Sequence, residues 1–153
     1  MEQKVIRHLN YAYYGMMLLA LIAMGVMYYM LIKGYLLPLD KMSLVGKVMQ
    51  YVVIFDALIT IPGGLYGFKR LVSKIQHMED KEQQAQLYEK YASMRIVLVS
   101  NSMVLGIIAY YWLGAYPSML WLAGIGAIAW YFTKPTSGKM QIELTPNDEG
   151  MNE

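Results

Sequence analysis

Between Lys47 and Arg70 the chain reads KVMQYVVIFDALITIPGGLYGFKR, an apolar run of about 21 residues closed by basic residues at both ends. At 1.5 Å per helical residue it is long enough to cross the ~30 Å hydrocarbon core of a bilayer. A lone crossing segment must satisfy its own backbone N–H and C=O groups, and only a helix does so. Three more runs have similar character, so the sequence predicts membrane spans at about 11–32, 48–68, 96–113 and 117–133. With 57% hydrophobic residues, 16% charged and a mean hydropathy of +0.32, the chain is too apolar and too sparsely charged for an ordinary water-soluble domain. The expected fold is an all-α membrane protein, a four-transmembrane-helix antiparallel bundle forming one domain over residues 1–133.

The connections fill in the topology. Met1 to Asn10 is a short polar lead, and the run after it exceeds the 7 to 15 residues of a signal-peptide core, so the first span is expected to be retained. Lys33 to Asp40 is a turn, with Asp40 or Ser43 available to cap the next helix. Residues 69–95 are polar, with apolar positions at helical spacing on both arms, which predicts a cytoplasmic helical hairpin reversing at Glu79 to Gln84. Gly114-Ala115-Tyr116 is so short that the spans it joins must be antiparallel neighbours, and Pro117 suits a first helical turn. Residues 134–153 read as a mobile polar tail, in which the alternation of Met140, Ile142 and Leu144 allows one strand.

Charge sets the orientation. Ten of the thirteen Lys and Arg residues fall on the lead, the hairpin and the tail, and only Lys33, Lys41 and Lys47 on the other face. The positive-inside bias therefore puts both termini and the hairpin in the cytoplasm. Tyr and Trp gather at both span ends, as the two interfaces require, and Phe55 is the only aromatic clearly mid-span. The compact chain, without targeting features, points to a bacterial inner membrane.

One carboxylate lies deep in this arrangement. Asp56 is about 13 Å from the outer boundary of its span by helical rise. An ionised acid there costs roughly 2.5 to 3.5 kcal/mol on insertion scales, so Asp56 should face the bundle, whether or not it is protonated. Asp56 and Thr60 form the candidate ion or proton site, and Pro62, Gly63 and Gly64 the candidate hinge. Tyr28, Tyr29 or Tyr110 are candidate partners for Asp56; Asn101, flanked by Ser100 and Ser102, stands level with Pro62 and is placed to satisfy the backbone loosened there. Two readings follow: a hydrogen-bonded clamp that fixes helix register, or a proton or cation site lined by tyrosine rings.

Other chemistry is absent from the sequence. There is no cysteine, both histidines lie outside the spans, and no HExxH, GxSxG, Walker or GxGxxG pattern occurs. No cofactor, metal or nucleic-acid partner is therefore expected, and the many methionines read as adaptable packing. One membrane acid among aromatics in a four-span chain resembles the small multidrug-resistance exporters. Their acid, however, is a glutamate in the first span, and residues 69–95 and the tail have no counterpart there. The sequence predicts a non-enzymatic accessory, assembly or scaffold subunit, with the bilayer, a homo-oligomer or membrane subunit, and a cytoplasmic protein at 69–95 as partners. The alternative is a small oligomeric transporter or ion pathway centred on Asp56.

Overall fold

The computed structural model describes residues 1–146. Among them are five helices and no strand: α1 (Glu2–Ile32), α2 (Leu44–Ile75), α3 (Lys81–Trp112), α4 (Pro117–Phe132) and α5 (Ser137–Leu144). The first three are long and apolar enough to cross a membrane; α4, with 16 residues, is apolar but reaches only about 24 Å. The outward faces carry exposed Leu18, Ile22 and Val26 on α1, Phe55, Leu58 and Ile59 on α2, and Leu120, Ile125 and Ile128 on α4. Apolar surface on this scale suits lipid rather than water.

Local chemistry explains each start. The Ser43 hydroxyl caps α2 by accepting from Gly46 N–H at 3.0 Å, and Asp80 caps α3 by accepting from Glu82 and Gln83 N–H at 2.9 and 3.3 Å. Pro117 opens α4, and Thr136 Oγ1 accepts from Lys139 N–H at the head of α5. The chain reverses at 76–80, a few residues earlier than expected: only Glu79 and Asp80 of the all-polar stretch lie in the turn, and Lys81 to Gln84 already belong to α3. Gln84 explains the difference: it is buried, and its Nε2 donates to the Ile75 carbonyl at 2.8 Å and the Gln76 carbonyl at 3.3 Å. A residue counted as solvated thus satisfies the open carbonyls at the end of α2.

The helix on which the others pack is α3, rather than the span containing Asp56. It meets α1, α2 and α4, whereas α1 and α2 make no backbone approach to each other among the described residues. Its buried face runs Ala85, Tyr88, Ala92, Ile96, Val99, Met103, Gly106 and Ala109, each three or four residues after the last. Two apolar clusters lie along it. One joins Leu113 and Met119 to Val53; the other joins Tyr88 and Ile96 to Leu9, Tyr13, Phe68 and Met140. The expected polar lead is therefore part of α1, with Val5 and Leu9 buried. Close approach is set by glycines: a β-carbon on Gly106 would lie 2.8 Å from Ala123 N, and one on Gly126 2.8 Å from Met103 N.

The chain after α4 is neither strand nor free tail through Leu144. Met140 and Leu144 stand four residues apart, so a helix puts both on its inner face and leaves Ile142 outside, 74% exposed. The alternation that suggested a strand fits this helix equally well. Residues 147–153, the remainder of the expected tail, lie outside the described residues.

Candidate functional site

Asp56 sits on the face of α2 turned toward α3. Its Oδ1 accepts from Asn101 Nδ2 at 3.1 Å and its Oδ2 from Ser102 Oγ at 3.1 Å. One turn on, Thr60 Oγ1 donates to the Asp56 backbone carbonyl at 2.7 Å and lies 2.5 Å from Ser102 Oγ. Ser102 is buried, whereas Asp56, Thr60 and Asn101 are partly so. The arrangement links two helices through four side chains with no water required.

The two hydroxyl hydrogens both go to Asp56: Ser102 donates to Oδ2 and Thr60 to the backbone carbonyl, while the Asn101 amide donates to Oδ1, so α2 and α3 together satisfy the acceptors of this residue. The Thr60 and Ser102 hydroxyls touch each other, and the ring ends on the backbone of the residue where it began.

The other candidates are placed differently. Ser100 is buried but turns its hydroxyl back to the Ile96 carbonyl of its own helix. Tyr28 is 55% exposed on α1, Tyr29 is exposed beside it, and α1 does not approach α2. Tyr110 packs in the cluster of Val53, Leu113 and Met119, its ring edge-on to Tyr111. Asn101 bonds Asp56 itself. Pro62 and Gly63 are exposed, and α2 runs through them without a break. Gly64 is buried instead, where a β-carbon would lie 2.7 Å from Val99 Cγ2; its smallness serves contact with α3.

A second polar cluster, at the far end of the same two helices, escaped the sequence reading. Arg95 on α3 is 8% exposed; its Nη1 donates to Glu143 Oε1 at 3.2 Å, and its guanidinium carbon lies 3.7 Å from the Phe68 ring centroid. Tyr88 donates its hydroxyl to Glu143 Oε2 at 2.6 Å, and Gln76 Nε2 donates to the Glu143 carbonyl at 2.8 Å. Burial, and then the hydrogen bond to Glu143, push the Tyr88 phenol above its ordinary value. Together these contacts hold α5 against α2 and α3. The signal for them was present: Tyr88 and Arg95 are seven apart on one helix face, and Glu143 is the sole acid from Thr136 to Pro146.

None of five cavities found among the described residues is lined by Asp56. No group of three or more metal-ligating His, Cys, Asp or Glu residues occurs among the described residues. No protein-family model matches the chain, and no curated protein or solved structure matches it significantly.

Proposed function

We propose that this is a non-enzymatic, multi-pass membrane protein that acts as an accessory, assembly or scaffold subunit, with Asp56 as a hydrogen-bonded clamp between α2 and α3. The observation that carries this reading is the closed ring: both carboxylate oxygens are engaged by α3, and the hydroxyl chain leads back to Asp56. A conducting site needs a path onward to water or to a second titrating group. In this reading α4 is a fourth span, short but anchored by Trp121 and Trp130 near its ends, and the local bilayer thins to match it. Both termini and the 76–80 turn face the cytoplasm of a bacterial inner membrane, where the α2–α3 end meets a soluble partner. The exposed faces of α1 and α2 are open to a second copy or a membrane subunit.

The test is proton flux in liposomes with an imposed pH gradient. The clamp reading predicts the same leak from wild type, Asp56→Asn and empty liposomes. The alternative, an oligomeric ion pathway, rests on the one carboxyl at mid-membrane depth and predicts flux that disappears in Asp56→Asn; that result would displace the clamp.

A further inference from the structure

We propose that the cavity between Lys69 and Arg95 binds the phosphate of an anionic membrane lipid. The cavity holds about 350 Å³, within the roughly 300 to 1,000 Å³ of small-ligand sites. Leu65, Lys69 and Val72 of α2 and Gln76 just past its end form one stripe along its wall, Arg95 comes from α3, and α5 closes it with Ile142 and Glu143. Lys69 is exposed and has no carboxylate partner among the described residues. Arg95 has a single acceptor, Glu143, and its Nε is buried with no partner. Two cations against one carboxylate leave a single positive charge, the complement of one phosphodiester. Arg adds a planar donor fork suited to phosphate oxygens.

Position argues for a lipid rather than a free anion. Lys69 and Arg95 mark the basic ends of the apolar stretches of α2 and α3, the level at which lipid phosphates lie. The cavity is polar at Gln76 and apolar at Leu65, and from Leu65 the exposed side chains of Leu58, Ile59 and Phe55 continue along α2 as a track for an acyl chain. Ile142, exposed to water without an occupant, would rest against that lipid. The inference relies on the membrane reading of α2 and α3, and is independent of the role of Asp56.

Thermal stability of the full chain in an uncharged detergent, titrated with phosphatidylglycerol, phosphatidylcholine or inorganic phosphate, tests it. Phosphatidylglycerol should raise the melting temperature, and Lys69→Gln should shift the titration midpoint about five-fold upward, the effect of one cation near an anionic membrane surface. Each variant is measured against its own lipid-free baseline. Lys74→Gln, an exposed lysine of α2 outside the cavity, should titrate as wild type. Equal midpoints for wild type and Lys69→Gln, an equal loss in Lys74→Gln, or an equal response to phosphatidylcholine would overturn the site. A full response to inorganic phosphate would overturn the lipid assignment in favour of a free anion. None of these outcomes bears on proton flux, so failure here is distinguishable from failure of the clamp.

Discussion

Asp56 tests whether an acid inside a long apolar helix is held for its charge or for its hydrogen bonds. An amide at position 56 keeps the shape of the acid, an acceptor for Asn101 and a hydrogen bond with Ser102, whose hydroxyl can accept as well as donate. Asp56→Asn should therefore unfold in detergent within about 1 kcal/mol of wild type, whereas Asp56→Leu, which strands Asn101 and Ser102, should lose roughly 1 to 3 kcal/mol. Equal damage from both substitutions would show that the ring depends on an ionised group. The sequence alone singled out Asp56, because a carboxylate inside an apolar run is conspicuous, but it paired Asn101 with Pro62. That depth was counted from the edges of the apolar runs, whereas the helices continue past those edges to a turn at 76–80. Asp56 and Asn101 stand almost equally far along the chain from Met78 in that turn, so the turn sets which residues meet.

Among the elements, α3 carries the packing, and its contact with α4 depends on two glycines. Gly126 has no room for a side chain against Met103, while Gly124, two residues away on the outer face, has nothing within 4 Å of an added β-carbon. Gly126→Leu should therefore destabilise the protein by about 1 to 3 kcal/mol through overpacking, and Gly124→Leu should leave thermal unfolding nearly unchanged. Comparable losses in both would mean that α4 does not seat on α3 as described. The small residues of these helices were evident in the sequence, but their partners were not, because composition gives spacing along one helix and says nothing of which neighbour it faces. Arg95 was hidden for the same reason: counted as one of many basic residues at span ends, it is buried because α5 returns to cover it.

At the scale of the whole molecule, the roles proposed for the exposed apolar surfaces of α1, α2 and α4, for Asp56 and for the Lys69–Arg95 cavity all depend on how the chain sits in the bilayer. Three long apolar helices and one shorter one were legible from hydropathy, since each is a continuous run between polar connections. The helix at 137–144 was not, because eight residues of mixed polarity fit a strand, a tail or a docked helix equally well until their partners are known. The arrangement across the membrane can be read directly, because the chain contains no cysteine to interfere with single-cysteine labelling. Gln83 and Ser43 are the positions to compare, one beside the α2–α3 turn and one in the connection that precedes α2. With an impermeant reagent on intact cells, the account predicts labelling of Ser43→Cys and none of Gln83→Cys until the membrane is opened; labelling of Gln83→Cys but not Ser43→Cys in intact cells would contradict it.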